Sequence, residues 1–250
     1  MDPLTVYSTH DEIILTPVLI KMGNNDPDYL IFHIHGECKL EQGVDVGTTL
    51  CQCFNSIVVA CDFRNDCHPH GTWDIIDTIN HVCSIYPNLK IVLSGSSSGG
   101  WHAFYIANIW SEWIQFPLST VIGICPVSNP ALRKVYLETC LHSDDDPYVT
   151  MPLSMERNVP ILSPSVAKVI LDTQEKYFPK NDEIPELKNL PGHVKSLVIA
   201  GSYDKNVPLH ILLNIIPWVT QTTIIGKVGH EIQSNPTDQV LQIIGDFLER

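Results

Sequence analysis

The stretch LSGSSSGGW, Leu93 to Trp101, sets three consecutive serines between glycines at the end of an apolar run. It could be a flexible Ser/Gly linker or a tight turn that presents one activated serine. A linker is flanked by polar, flexible sequence. Here Ile91-Val92-Leu93 leads in and a strongly apolar helical pattern follows. The spacing is Gly-x-Ser-x-Gly with Ser97 at its centre and Gly95 and Gly99 two residues to either side. A strand that turns at once into a helix forces its central residue into a strained conformation and lifts that side chain clear of the sheet. The positions two before and two after must be small, because strand and helix cross closely there. Ser96 and Ser98 flank the turn. The N–H of Ser98, at the start of a helix, is the expected donor to a developing oxyanion.

A serine hydroxyl is a weak nucleophile without a base. His230 closes the run TTIIGKVGH and is the candidate base. The acid that orients it should come from a strand end between the two, and LVIAGSYDKNVP supplies Asp204. The chain order is Ser97, Asp204, His230, with separations of 107 and 26 residues. A histidine base makes activity fall as pH drops through the imidazole titration, at about 6.5 for an unperturbed histidine. A flat profile from about pH 5 to 8 would count against it. An oxyanion hole needs a second N–H. YLIFHIHGEC ends a strand with His35-Gly36-Glu37, and the Glu37 N–H is the expected donor, with Cys38 next to it in the same loop. His35 and Gly36 would support that loop, with His33 on the strand itself. Asp62 and Asp172 are weaker candidates for the acid, one at an earlier strand end and one in a helical insert. Trp101 and His102 open the helix after Ser97 and read as packing residues.

The elements that must hold these residues alternate along the chain. TVYST and EIILTPVLIKM look like a strand pair. YLIFHIHG, SIVVACDF, KIVLSGS, STVIGICPVS, KSLVIAGSYD and TTIIGKVGH are six further strand runs. TWDIIDTINHVCSIYP, SGGWHAFYIANIWSEW, PLHILLNIIPWV and TDQVLQIIGDFLER carry helical spacing, the last capped by Thr237 or the preceding Asn235-Pro236. Buried strands alternating with helices predict an α/β fold, a mostly parallel central sheet with helices on both faces. Chemistry then collects at the carboxyl ends of the strands. Residues 129–194 break the rhythm, with helical patterns ALRKVYLETCLH and PSVAKVILDTQEKYF and no clear strand. We read 1–250 as one domain, with 129–194 as a cap or lid insertion. Asp144-Asp145-Asp146 within it reads as a solvated loop.

The bulk composition excludes several classes. The 250 residues are 44% hydrophobic and 17% charged, ample for a core and against disorder. The formal net charge of −13, with no Lys/Arg-rich run, argues against nucleic-acid binding. The N-terminus lacks a basic region followed by an apolar run, and no stretch approaches the ~20 apolar residues of a membrane span. A soluble cytoplasmic protein is expected. The eight cysteines read as free thiols. Cys51/Cys53, and Cys61, Cys67, His68 and His70 in CDFRNDCHPH, lack zinc-site spacing, so no metal is expected.

Together these residues resemble the α/β-hydrolase superfamily, in particular its carboxylesterase branch related to hormone-sensitive lipase. HIHGEC stands where that branch has His-Gly-Gly-Gly, VVACDFR near its Asp-Tyr-Arg segment, and GSSSGG where it has Gly-Asp-Ser-Ala-Gly-Gly. GSYDKNVP and GH follow in order. The resemblance spans about residues 28 to 250, with 129–194 only loosely similar. Glu37 and Cys38 replace two glycines, and Ser96 replaces an acidic residue. The resemblance implies an α/β-hydrolase fold and a serine hydrolase acting on a small or medium carboxylic ester or related acyl bond, a small-molecule substrate, with no cofactor. An amide hydrolase of the formamidase type, an acyltransferase using the same three residues, and a non-catalytic ligand-binding homologue remain alternatives.

Overall fold

The computed structural model describes residues 1–21, 26–36, 40–142, 161–179 and 184–250. The continuous apolar runs become strands buried on both faces, as a covered parallel sheet requires. They are β5 (Tyr29–Ile34), β6 (Ser56–Ala60), β7 (Lys90–Ser96), β8 (Leu118–Ile124) and β9 (Lys195–Gly201), with β10 (Gln221–Ile225) at one edge. All neighbours from β6 through β10 pair in parallel. At the other edge β4 (Val18–Lys21) pairs antiparallel with β6, and β1 (Asp2–Pro3) antiparallel with β4. The eight-stranded order is β1-β4-β6-β5-β7-β8-β9-β10. The expected N-terminal strand pair forms as β2 (Val6–Tyr7) and β3 (Ile14–Leu15), a separate hairpin, while the rest of its second run becomes β4 and joins the sheet.

Helices cover both faces. α2 (His70–Ile85) and α3 (Ser98–Asn108), followed by the short α4 (Trp110–Trp113), pack into one apolar cluster around Phe32, Leu93, Phe104 and Ile75. α1 (Leu40–Cys53) and α7 (Asp238–Leu248) pack into the other, around Ile31, Val58, Val92 and Ile199. Thr237 caps α7, its hydroxyl accepting the Val240 N–H. α1 was not foreseen. Its sequence contains Gly43 and Gly47, which lower helix propensity. Both glycines lie where a side chain would crowd a neighbour: a Cβ on Gly47 would stand 2.9 Å from Ile20, and one on Gly43 3.2 Å from His35. Close packing there outweighs propensity. The opposite error occurs at PLHILLNIIPWV, where a helix was expected. Only a 3₁₀ turn over Leu209–Leu212 forms, followed by irregular turns ending near Pro217, which cannot donate to a helix ladder.

The two helical patterns of the 129–194 insert become α5 (Pro130–Leu141) and α6 (Pro164–Tyr177). Asn129 caps α5 by accepting the Leu132 N–H. Gln174 of α6 donates to the Pro130 carbonyl at 2.6 Å, and Lys134 pairs with Glu175 at 2.8 Å. The acidic run at 144–146 lies outside the described residues. Cys51, Cys53, Cys61, Cys67, Cys83, Cys125 and Cys140 are free thiols. No helix among the described residues is long and apolar enough to cross a membrane.

Candidate active site

β7 runs into Ser97 and α3 begins at the next residue. Ser97 takes φ 53° and ψ −119°, a left-handed conformation that few non-glycine residues adopt. The strain is held by three backbone bonds. Its N–H donates to Ile124, and its carbonyl accepts from Gly100 and Val127. The glycines are small for reasons of space. A Cβ on Gly95 would lie 2.2 Å from the Gly99 carbonyl oxygen, and one on Gly99 would lie 2.1 Å from that of Ile34. Both obstacles are backbone and cannot move aside. Gly99→Ala is therefore expected to lower stability by at least about 3 kcal/mol, read as a fall in the urea unfolding midpoint. A midpoint within error of the parent would refute the steric argument.

Three chain-distant residues meet at the strand ends. His230 opens a 3₁₀ turn after β10, and its Nε2 lies 3.0 Å from Ser97 Oγ. Its Nδ1 lies 2.7 Å from Asp204 Oδ2. The other carboxylate oxygen of Asp204 accepts the N–H groups of Asn206 and Val207, both at 2.8 Å. The carboxylate is fully buried, so these bonds replace water and fix its plane. Asp62 and Asp172 are engaged elsewhere. Asp62 accepts the Thr16 N–H, and Asp172 pairs with Lys168 on the exposed face of α6.

Ser98 is the first residue of α3, where a backbone N–H has no intrahelical acceptor. Gly36 lies directly against the turn, since a Cβ there would stand 2.9 Å from the Ser97 Cβ. His35 is buried, holds the Gly36 carbonyl at 2.8 Å through Nδ1 and stacks on Phe63. Glu37 and Cys38 lie outside the described residues. Trp101 and His102 are buried in an aromatic wall with Tyr105, Phe63, Tyr177 and Phe178. Burial drives the His102 pKa down to about 3.

Sequence reasoning missed several contributors. Ser96, which flanks the turn, sends its hydroxyl to the Gln233 carbonyl at 2.8 Å. α5 reaches the loop that carries Asp204, with Arg133 donating to the Asn206 carbonyl and Tyr136 to that of Lys205. Cys125, just beyond β8, has φ 47° and is buried beside Asp204 and His230. Burial and the Asp204 charge keep its thiol protonated. Its only signal in the sequence is its place after a strand. Cys67 Sγ and Asp66 Oδ2 lie 3.2 and 3.3 Å from His70 Nδ1, while Cys61 and His68 turn into apolar surroundings. Cys125, Asp204 and His230 form a second group of three possible ligands, already linked through the imidazole bond.

No family model matches the chain, and no curated protein matches it by sequence. Solved structures do match. An esterase from Pyrobaculum calidifontis superposes with a TM-score of 0.74 at 18% identity, over 99% of this chain and 85% of its own. The carboxylesterase EstE1, cloned from a metagenomic library, gives 0.71 at 14% identity, over 98% and 85%. A protein of unknown function from Staphylococcus aureus subsp. aureus Mu50 gives 0.65 at 18%, over 100% and 98%. The chain has the α/β-hydrolase fold. Ser97 stands in the turn between β7 and α3.

Proposed function

We propose that this protein is a serine hydrolase of small or medium carboxylic esters, of the carboxylesterase type. The observation that carries the reading is the continuous Ser97–His230–Asp204 hydrogen-bonded array at 3.0 and 2.7 Å, built on a strained strand-to-helix turn. Ser97 Oγ attacks the ester carbonyl while His230 Nε2 takes its proton. Asp204 holds Nδ1–H and stabilises the imidazolium. The tetrahedral oxyanion is received by the N–H of Ser98, with that of Glu37 as its partner and His35 and Gly36 bracing the loop. His230 then protonates the departing alcohol, leaving an acyl-Ser97. Water, activated by the same imidazole, releases the acid and restores the serine. The 129–194 insert serves as the cap over this site.

The test is labelling by a fluorophosphonate probe together with release of nitrophenol from p-nitrophenyl butyrate. Labelling is expected in the parent, in Ser96→Ala and in Ser98→Ala, and is lost in Ser97→Ala. A folded parent protein that neither labels nor hydrolyses any ester would leave a ligand-binding homologue instead.

A further inference from the structure

Asp66 and Cys67 lie on the loop between β6 and α2, and His70 is the first residue of α2. The proposed reaction uses none of them. Within five residues of chain they bring a carboxylate, a thiol and an imidazole together. The three ligand atoms all lie within 4.8 Å of one another, with Cys67 Sγ 3.2 Å and Asp66 Oδ2 3.3 Å from His70 Nδ1. Both contacts fall on the same ring nitrogen, and one proton cannot serve both well. With a proton, Nδ1 donates to Asp66 and offers the thiol no acceptor. Without one, it accepts the S–H and turns its lone pair toward a carboxylate. A cation bound by all three removes the conflict.

The dimensions suit such an ion. Zinc bonds of about 2.3 Å to sulfur and about 2.0–2.1 Å to nitrogen and oxygen set tetrahedral edges of roughly 3.4 to 3.6 Å. The two contacts fall short of those edges by about 0.1 to 0.4 Å, which side-chain torsions on a partly exposed loop can supply. The frame is held from behind. The Cys67 N–H donates to Asp66 Oδ1 at 2.7 Å and leaves Oδ2 to the site. Between Cys67 and His70, His68 packs against Trp101 and Phe178, and its N–H donates to the Tyr177 carbonyl at 2.8 Å. The Asp66 and His70 side chains are 47% and 37% exposed, so a fourth position is open to water. A thiolate and a carboxylate balance a divalent charge. Arg64 and Lys176 also act on Cys67, and Arg64 is engaged by Asp11 and Asp74. The group Cys125, Asp204 and His230 carries no such inference, because its imidazole is already committed to Asp204 and Ser97.

We infer that Asp66, Cys67 and His70 form a three-ligand site for a divalent transition-metal cation of the zinc class, with water completing the tetrahedron. A thiolate beside an imidazole favours zinc, and its cobalt surrogate, over magnesium and calcium, which take oxygen ligands. On binding, the Cys67 S–H gives its proton to solvent and the sulfur bonds to the metal. The sequence pattern hid this grouping. Spacing set Cys67 and His70 beside Cys61 and His68, whereas the fold turns those two into apolar surroundings and brings in Asp66.

The test titrates the chelator-treated full chain with cobalt(II) under reducing conditions. A thiolate-to-cobalt charge-transfer band in the near ultraviolet is expected, saturating at about one equivalent and bleached by zinc but not by magnesium. Cys67→Ser should abolish the band. His70→Gln and Asp66→Asn should each raise the apparent Kd at least about tenfold, since even outer-shell partners of a metal are worth that much. Cys53→Ser, which removes an exposed thiol elsewhere, should leave the titration unchanged. Zinc should raise the urea midpoint of the parent and not that of Cys67→Ser, with circular dichroism establishing that each variant folds. No band, a band only at large excess of cobalt, a band that survives Cys67→Ser, an affinity unchanged in both His70→Gln and Asp66→Asn, or a parent midpoint indifferent to zinc would overturn the site. None of these readouts involves ester turnover, so the site stands or falls separately from the hydrolase reading.

Discussion

Ser97→Ala and His230→Ala are each expected to lower kcat/KM toward p-nitrophenyl butyrate by on the order of 10⁴- to 10⁶-fold. The double variant should be no slower than the worse single one. In free energy this is roughly 5 to 8 kcal/mol of lost transition-state stabilisation. The non-additivity follows from the geometry. Ser97 Oγ and His230 Nε2 share one hydrogen bond of 3.0 Å, and in the proposed mechanism neither group does chemistry without the other. Once the base is gone the hydroxyl keeps its ordinary weak nucleophilicity, and once the hydroxyl is gone the base has no proton to take. What survives is the residual rate from binding and from the backbone donors at the helix start. Steady-state rates on the three variants, with circular dichroism to establish folding, decide the matter. Losses that multiply would mean that the two residues act independently, against a shared array.

The second large effect is on stability in acid. His33 and His102 are buried, and desolvation lowers each pKa to about 3. His68, packed among Trp101, Tyr105 and Phe178, is lowered to about 4. In the unfolded chain each returns to about 6.5. The unfolded state therefore binds more protons throughout the window from about 6.5 down to the folded values, and stability falls as pH drops through it. Above the unfolded value both states are neutral at these sites, so stability is insensitive to them. At about pH 4.5 His33 and His102 together cost on the order of 5 kcal/mol, comparable with the whole stability of many domains. The urea midpoint should be flat from about pH 8 to 7 and fall steeply between about 6.5 and 4.5. His33→Asn should flatten that slope at the expense of some stability at neutral pH. A parent midpoint that does not change between about pH 7 and 5 would contradict the assignment.

Much of the sheet was legible because parallel strands buried on both faces leave an unbroken apolar signature. YLIFHI, SIVVA, KIVLSGS and KSLVIAG each state their own burial. The turn at Ser97 was legible because the chain's close approach there admits only glycine at two fixed positions. The convergence of Asp204 and His230 on it could be expected only from strand order, since nothing local to either residue encodes a contact across more than a hundred positions. α1 was hidden because its glycines answer to Ile20 and His35, contacts that no local window contains. The hydrogen bond that uses Ser96 was hidden for the same reason.

The Ser96 hydroxyl has a further consequence. By donating to Gln233 it joins the turn that carries Ser97 to the short 3₁₀ segment that carries His230, across 137 positions of chain. The Ser97 turn and the His230 segment are thus not two loops that happen to touch. A fluctuation that separates the two segments must break that bond. A perturbation at the β10 end of the sheet that displaces the His230 segment therefore pulls on the Ser97 turn through it.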